Sequence, residues 1–159
     1  RYGNVAESRG SVIPLWRDQL TMGGIDITDE RMTRFWITLP QAAAFVLSCL
    51  DMMHGGEVFV PKLPSVNICM LAEAVAPECE RRIVGIRPGE KLAESMISAH
   101  ESYYARDLGD RYVLLPQFPW WSQHNYPGAR AVPEGWEYRS DTNDQWMTVQ
   151  ELREVLGAG

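Results

Sequence analysis

An α/β fold is the class predicted by this 159-residue sequence. Short segments with a β-type pattern recur between longer segments that carry a helical apolar stripe, and this alternation is typical of α/β proteins. Several helical segments also begin at a capping residue and end at glycine or proline. With 45% hydrophobic residues the chain can build a core, so it is not a disordered segment.

The first elements occupy residues 11–37. Residues 11–20 predict a helix, and Gly23-Gly24 ends it. Residues 25–28 alternate apolar and polar side chains, which predicts a short strand. Residues 35–37 are a second short apolar segment and predict another strand.

The second helix and the strand after it are marked by strong local signals. Thr38 is followed three residues later by Gln41, which is a capping box, and Pro40 lies in the first turn. Gly55-Gly56 ends this helix. Residues 57–60, Glu-Val-Phe-Val, predict a strand.

The middle of the chain continues the alternation. Asn67 predicts the N-cap of a helix that Pro77 ends. Residues 82–86 predict a strand that runs into a Pro-Gly turn at residues 87–91, with a short helix after it. Residues 112–115 predict a further strand.

The C-terminal segment has a different composition. Residues 116–147 are rich in Pro, Gly and aromatic side chains, so an ordered arm with little regular structure is predicted, and a self-association surface is an alternative. Thr148 and Glu151 form a second capping box at the start of the last helix. The chain is therefore divided into residues 1–115 and an arm with the last helix at residues 116–159.

Composition narrows the functional classes. The chain has 15 basic and 21 acidic residues, a formal net charge of −6, so a nucleic acid partner is not expected. One or two well-placed arginines would still suffice for a small anionic ligand. No apolar run approaches the length of a membrane span and there is no signal peptide, which predicts a cytoplasmic protein without a membrane partner. The three cysteines are odd in number and unpaired by spacing, which predicts reduced thiols.

The N-terminal residues contain one candidate binding segment. Residues 1–14 predict a strand end that leads through a loop into a helix, and such a junction suits a phosphorylated ligand. Asn4 lies in this junction, while Ser11, Val12 and Ile13 start the helix, where free N–H groups attract anions. For these three residues, ordinary packing at a helix start is an equally good explanation. The rest of such a site is expected upstream of residue 1.

Two arginines and a glutamate at element ends are the other candidates. Arg34 lies beside one predicted strand, and Arg87 directly follows another. Together they could bind a diphosphate through forked, charge-assisted hydrogen bonds, and Glu90 could accept hydrogen bonds from ribose hydroxyls. The alternative for each arginine is a surface ion pair worth about 0–1 kcal/mol. The position of the whole set at element ends favours binding.

Familiar catalytic motifs are missing from the sequence. There is no Gly-x-Gly-x-x-Gly fingerprint, Walker loop, Gly-x-Ser-x-Gly elbow or His-Glu-x-x-His. The Tyr-x-x-x-Lys pair of short-chain dehydrogenases is also absent, because neither Lys62 nor Lys91 follows a tyrosine by four residues. No catalytic or metal-ligating residue is therefore nominated.

Five segments together resemble one enzyme family, the inverting UDP-N-acetylglucosamine 4,6-dehydratases, which are extended short-chain dehydrogenase/reductases of polysaccharide and flagellin-sugar biosynthesis. The resemblance covers most of residues 1–115 and is specific, because the motifs occur in order with matching spacing. The segments are Arg1-Tyr2-Gly3-Asn4-Val5, Ser8-Arg9-Gly10-Ser11-Val12, residues 28–39, residues 54–62 and residues 85–92.

The resemblance implies a fold and a role for each candidate. It implies the C-terminal, substrate-binding portion of an extended Rossmann-type fold, without the N-terminal part that holds NADP and the catalytic residues. Arg34 and Arg87 would bind the diphosphate and Glu90 the uridine ribose. Tyr2 and Val5 would face the nicotinamide end of the cofactor. The other implied UDP-sugar contacts are Asn4, Arg9, Gly10, Ser11, Val12 and Ile13.

The expected function is thus a C-terminal portion of an NADP-dependent dehydratase that supplies the UDP-sugar pocket. The chain alone is expected to bind no cofactor and to be inactive. Alternatives are a portion of a related UDP-sugar 4-epimerase and a non-catalytic binding or self-association module. The strands at residues 1–5 and 57–60 are expected to belong to a larger parallel sheet and to leave an exposed edge here, which predicts a homo-oligomer.

Overall fold

A computed structural model describes residues 1–8, 10–122 and 124–157. Helices and strands alternate over the first half of the chain, and short strands dominate the second. The helices are α1 (Val12–Leu20), α2 (Leu39–Met52), α3 (Ile68–Val75) and α4 (Val149–Val155), with a short 3-10 helix at Glu101–Tyr104. The strands are β1 (Asn4–Val5), β2 (Gly24–Ile27), β3 (Thr33–Ile37), β4 (Val58–Pro61), β5 (Ser65–Asn67), β6 (Glu80–Ile83), β7 (Ser95–Ile97), β8 (Ala105–Asp107), β9 (Arg111–Leu114), β10 (Arg130–Ala131) and β11 (Tyr138–Arg139).

The strands of the described residues form four small sheets. The first has the order β1-β3-β5, with β1 parallel and β5 antiparallel to β3. The second is the parallel pair β2-β6, and the third has the antiparallel order β10-β8-β9-β4. The fourth is the pair β11-β7. β1 therefore has a parallel partner in β3. β4 runs antiparallel to β9 and is the last strand of its sheet, so the larger parallel sheet expected for residues 57–60 stays a prediction.

The predicted helix starts are confirmed. Thr38 and Gln41 form the capping box of α2, and Thr148 and Glu151 form that of α4. The Asn67 side chain accepts a hydrogen bond from the N–H of Cys69 at the start of α3, 2.8 Å away. These signals are reliable because each cap satisfies otherwise free N–H groups within one turn.

Other sequence expectations need correction. The short helix predicted to follow the turn at residues 87–91 does not come directly after it: β7 lies there, paired with β11, and the short 3-10 helix Glu101–Tyr104 comes later. The strand predicted at residues 82–86 begins and ends earlier, since β6 takes its register from β2. The strands β5 and β8 were not predicted, and both depend on partners distant in sequence.

Two of the buried clusters flank the first sheet. One packs α1, α3 and α4 around β2 and one face of β3, and it includes Trp16, Trp36 and Leu152. The other contains Phe35 and packs β4, β8 and β9 against the opposite face of β3. β3 thus lies between two apolar layers, which fixes the direction of each of its side chains.

The arm at residues 116–147 is anchored to the rest of the molecule. Tyr138 is 4% exposed and packs in the cluster of Phe35, and Trp121 is 6% exposed in a third cluster. Phe118 and Trp120, by contrast, stack on each other at 5.2 Å and are largely exposed. The arm contains only the short strands β10 and β11 among its described residues. The division of the chain at residue 115 stays a prediction.

None of the helices within the described ranges is long and apolar enough to cross a bilayer. Cys49, Cys69 and Cys79 form no disulfide bond within the described residues.

An ion pair at the start of β1 predicts a pH effect on stability. The Arg1 guanidinium donates to both carboxylate oxygens of Glu101, at 2.7 and 3.0 Å, and lowers the pKa of Glu101 to about 2 from 4.5. A carboxyl whose pKa is lower in the folded state contributes stability above its unfolded pKa and loses it as the pH falls. The destabilisation caused by Glu101→Gln should therefore shrink between about pH 5 and pH 2.

Urea unfolding at several pH values would measure this effect. Glu78→Gln is a suitable control, because the Glu78 side chain makes no ion pair or hydrogen bond with the described residues. A difference between wild type and Glu101→Gln that stays constant down to pH 2 would contradict the prediction.

Candidate functional site

A cavity of about 290 Å³ lies between the start of α1, one face of β3 and the loop after β6. Its size is close to the lower end of the range for small-molecule sites. Nine residues nominated from the sequence line it: Asn4, Val5, Gly10, Ser11, Val12, Ile13, Arg34, Arg87 and Glu90.

Two nominated residues are not among the lining residues. Arg9 lies outside the described residues. Tyr2 is 45% exposed and does not line the cavity, although Val5 does. Tyr2 precedes β1, which spans only Asn4–Val5, so the pairing of β1 with β3 does not turn its side chain towards the cavity.

Pairing of β1 with β3 positions Asn4. Asn4 lies opposite Trp36 in the parallel register, and the N–H of Ala6 continues the pairing by donating to Ile37 O at 2.8 Å. Gly3 permits this approach, because a Cβ atom there would lie 2.7 Å from Cβ of Phe35. A side chain at residue 3 would push β1 away from β3 and move Asn4 with it.

The turn before α1 brings the start of that helix to the cavity. Gly10 has φ of +80°, a conformation that glycine adopts without steric cost, and the N–H of Ser11 donates to Ser8 O at 2.9 Å. Ser11 is the N-cap residue but makes no side-chain capping bond. The first N–H groups of the helix therefore remain available to a ligand at the cavity wall.

Arg34 is held in place while one edge of its guanidinium makes only weak contacts. Its Nη1 donates to Thr33 O at 2.7 Å and to Leu92 O at 3.2 Å. On the other edge, Nη2 donates to Met32 Sδ at 3.7 Å and Nε lies 3.6 Å from a Glu94 oxygen. Two carbonyls thus orient the side chain, and the Nε and Nη2 edge can exchange its weak contacts for two parallel hydrogen bonds to an anion.

Arg87 and Glu90 lie together in the turn after β6. Glu90 accepts from the N–H of Arg87 at 3.1 Å, and the side chains are 3.9 Å apart. Gly89 has φ of +86°, which this turn requires. The Arg87 side chain is 65% exposed, so it can rotate towards a ligand at small cost.

The carboxylates of the cavity are each paired with a cation. This pairing reduces the repulsion that an anionic ligand would otherwise meet. The pairs are Glu7–Arg17 at 2.6 Å, Asp26–Arg82 at 3.0 Å and Glu90–Arg87 at 3.9 Å. With Arg34 also in the wall, the site can accept a diphosphate despite the acidic composition of the chain.

Sequence reasoning missed several lining residues. Asp26 and Thr28 were read only as parts of a short strand, although their spacing of two places them on one face, opposite the buried Ile25 and Ile27. Trp36 was predicted only as part of a short apolar strand, yet it lines the cavity on the same face of β3 as Arg34. Side chains alternate between the two faces of a strand, and this alternation could have predicted that these residues share a face with the nominated ones.

Metal chemistry has no candidate centre in the part of the chain that the structure describes, since no group of three or more His, Cys, Asp or Glu residues is arranged to hold an ion.

Comparison with known proteins identifies relatives over the whole chain. The family described as "Polysaccharide biosynthesis protein" matches residues 1–116. The inverting UDP-N-acetylglucosamine 4,6-dehydratase of Campylobacter jejuni strain 81-176 is 43% identical, over 98% of this chain and 49% of its own length. The UDP-glucose 4-epimerase of Rickettsia conorii is also 43% identical, over 98% of this chain and 48% of its own.

A solved structure agrees with the fold. Pen from Bacillus thuringiensis superposes with a TM-score of 0.84 at 35% identity, over 99% of this chain and 48% of that one. The chain therefore spans about half the length of the relatives that it matches. The predicted resemblance and the α/β class are both confirmed. From its sequence and its fold, the chain belongs to the polysaccharide biosynthesis protein family and corresponds to the C-terminal part of that family's fold.

Proposed function

We propose that this chain supplies the UDP-sugar pocket of an NADP-dependent, C5-inverting UDP-N-acetylglucosamine 4,6-dehydratase, a cytoplasmic lyase. The supporting observation is that nominated residues from three separate segments, at residues 4–13, 34 and 87–90, meet in one cavity. The identity to a dehydratase of that name over nearly the whole chain supports the choice of substrate.

Each part of the cavity has a proposed role. Arg34 and Arg87 bind the diphosphate, Arg34 through its weakly paired Nε and Nη2 edge and Arg87 after rotating from Glu90. Glu90 accepts from the ribose hydroxyls. The sugar-nucleotide also contacts Asn4 and the segment from Arg9 and Gly10 to Ile13. The free N–H groups at the start of α1 favour its negative charge.

NADP is proposed as the cofactor of the intact parent and not of this chain alone. Bound NADP would supply hydride transfer at the sugar. Val5 lies in the cavity wall and would face the nicotinamide end of the cofactor. Tyr2 is half exposed and outside the lining, so it would face the cofactor only where further residues of the parent complete that part of the site. Purified as these 159 residues, the chain is expected to form no 4-keto-6-deoxy product.

Arg87→Ala tests the pocket. The substitution removes one charge-assisted contact to the diphosphate, worth about 1.5 kcal/mol, so the affinity for UDP should fall roughly tenfold. Isothermal titration of the purified chain with UDP measures the dissociation constant directly. Because Arg87 is exposed, its replacement should change the free energy of unfolding by less than about 0.5 kcal/mol.

Arg130→Ala is the matched control, because Arg130 lies in β10, is exposed and does not line the cavity. Its affinity for UDP should equal that of wild type. Equal affinities of wild type and Arg87→Ala would count against the proposed diphosphate site, and no UDP binding by wild type would reject the pocket altogether.

A UDP-sugar 4-epimerase parent is the second candidate. It is favoured by the equal identity to the Rickettsia conorii UDP-glucose 4-epimerase. The two candidates share the pocket and differ in the fate of the sugar. Product analysis of the full-length parent separates them, since a dehydratase removes water from the sugar while an epimerase only inverts C4.

Self-association is a third proposal, and α2 carries a surface for it. One face of α2 exposes an apolar stripe, and its spacing of three, four and seven residues is that of a helix that packs on a partner. We propose a second copy of this chain as that partner. The stripe consists of Leu39, Val46, Leu50 and Met53, with Leu47 beside it.

Val46→Lys combined with Leu50→Lys should convert the oligomer to a monomer, because two charges would be buried at the contact. Sedimentation velocity measures the change. Met22→Lys is the control: Met22 is 72% exposed and lies outside α2, so its replacement should leave the oligomer intact. A wild-type chain that sediments as a monomer would contradict this proposal.

A further inference from the structure

Glu94 is the one charged group that contacts the Arg34 guanidinium in the described part of the chain. One of its oxygens lies 3.6 Å from Nε of Arg34. The other contacts of that guanidinium are neutral: the carbonyls of Thr33 and Leu92 and the sulfur of Met32. Glu94 can therefore change the charge that Arg34 presents to a ligand, while the two carbonyls keep the guanidinium oriented.

The backbone of Glu94 is fixed beside Arg34 by one buried serine. The Glu94 N–H donates to Oγ of Ser140 at 2.9 Å, and the Ser140 N–H donates to Glu94 O at 2.9 Å. Oγ of Ser140 in turn donates to the carbonyl of Thr33, the residue before Arg34, at 3.1 Å. Because Ser140 is fully buried, these bonds hold the Glu94 carboxylate within reach of the guanidinium.

The Glu94 carboxylate has Arg34 as its only cationic partner among the described residues. The lining carboxylates Glu7 and Asp26 differ, because each has its own arginine at 2.6 and 3.0 Å. Glu94 is not a lining residue, and its side chain is 33% exposed. Its influence on a ligand in the cavity is therefore exerted through Arg34.

Glu94 and a bound phosphate use the same edge of Arg34. Nη1 is occupied by the two carbonyls, so a phosphate that accepts two parallel hydrogen bonds must take the Nε and Nη2 edge. Glu94 faces Nε on that edge. Its contact is longer than a good hydrogen bond, so a phosphate can displace it, but the loss of this ion pair opposes binding.

The charge of the ligand sets how strongly Glu94 opposes it. The terminal phosphate of UDP carries about two negative charges near pH 8, whereas each phosphate of a UDP-sugar carries about one. Arg87 neighbours Glu90, the proposed ribose contact, so Arg34 takes the phosphate farther from the ribose, which is the terminal one in UDP. Partial neutralisation of Arg34 by Glu94 therefore weakens UDP binding more than UDP-sugar binding.

We propose that Glu94 is a specificity-determining counterion that makes the Arg34 site select a sugar-nucleotide over the free nucleotide. This proposal rests on the proposed function, since it takes a diphosphate as the ligand of Arg34. Glu94 acts through Arg34 and does not contact the ligand. It lowers the attraction of the site for the more highly charged of two ligands that share the same uridine and diphosphate.

Glu94→Gln tests the proposal by calorimetric titration with UDP and with UDP-N-acetylglucosamine at about pH 8. Glutamine keeps the shape and removes the charge, so the affinity for UDP should rise about fivefold and that for UDP-N-acetylglucosamine about twofold. The ratio of the two dissociation constants is the readout, because a merely structural role would change both affinities alike. Glu78→Gln removes an equal charge from an exposed residue outside the cavity and should leave both affinities unchanged.

A double-mutant cycle with Arg34→Ala supplies the second readout. In the Arg34→Ala background, Glu94→Gln should change the affinity for UDP by about twofold or less, because the ion pair is already lost. A fivefold gain that persists in this background would overturn the proposal, since Glu94 would then act without Arg34. Glu94→Ala, in the same titrations, is the second variant and should shift the ratio of dissociation constants in the same direction.

The possible failures are distinguishable. If wild type binds neither UDP nor UDP-N-acetylglucosamine, the proposed function and this inference fall together. If UDP binds and Arg34→Ala weakens it, but Glu94→Gln lowers both affinities or leaves their ratio unchanged, this inference is wrong while the pocket stands.

Discussion

Arg34→Ala should lower the affinity for UDP by about tenfold to a hundredfold. The guanidinium is held by the carbonyls of Thr33 and Leu92, and its remaining edge can form two parallel hydrogen bonds to a phosphate. Charge-assisted bonds of this kind contribute about 1.5–3 kcal/mol. The effect should exceed that of Arg87→Ala, because Arg34 is already oriented and loses less side-chain entropy on binding.

Titration calorimetry of wild type, Arg34→Ala and Arg34→Lys measures this prediction. Lysine keeps the charge but cannot form the forked contact, so Arg34→Lys should bind with intermediate affinity. Thermal unfolding of each variant controls for the loss of the bonds to Thr33 and Leu92. A dissociation constant for Arg34→Ala within twofold of wild type would remove Arg34 from the proposed site.

Tyr138→Ala should destabilise the protein by about 3–5 kcal/mol, the range for loss of a buried aromatic ring. The ring of Tyr138 packs 4.6 Å from that of Phe35 and is 4% exposed. Its hydroxyl donates to Leu63 O at 3.0 Å and accepts from Leu63 N at 2.8 Å. Burial also raises the pKa of Tyr138 to about 12, so the hydroxyl remains neutral and can make both bonds.

Urea denaturation of two variants separates ring from hydroxyl. Tyr138→Phe keeps the packing but leaves the Leu63 N–H without this partner, and should cost about 1–3 kcal/mol. Tyr103→Phe is the control, since Tyr103 is 56% exposed and should change stability by less than about 0.5 kcal/mol. A loss below 1 kcal/mol for Tyr138→Ala would show that the arm is not anchored as the contacts indicate.

The same arm supports the position of Arg34. Ser140 is fully buried beside β3, and its hydroxyl is 2.8 Å from that of Thr33 and 3.1 Å from Thr33 O. Thr33 O is also one of the carbonyls that orient Arg34. Tyr138 variants are therefore expected to weaken UDP binding slightly as well, although neither Tyr138 nor Ser140 lines the cavity.

Much of the helical structure could be predicted because its signals are local. The capping boxes at Thr38 and Thr148 and the Asn67 cap each involve residues within one turn. The short strands were harder. A short helix was predicted after the turn at residues 87–91, whereas the first element there is β7, a strand that pairs with β11 some forty residues later. Val84 and Ile86 were predicted to lie in a strand, yet β6 ends at Ile83 and their side chains are 51% and 44% exposed.

The sequence by itself determined the α/β class, the helix starts and the polar residues at element ends. Only the tertiary structure decided which of these residues share a cavity. It placed Arg34 and Arg87 with the start of α1, left Tyr2 outside the lining and added Trp36. The physical reason is range: a cap is completed within four residues, whereas a cavity wall depends on strand pairing and packing between segments that lie tens of residues apart.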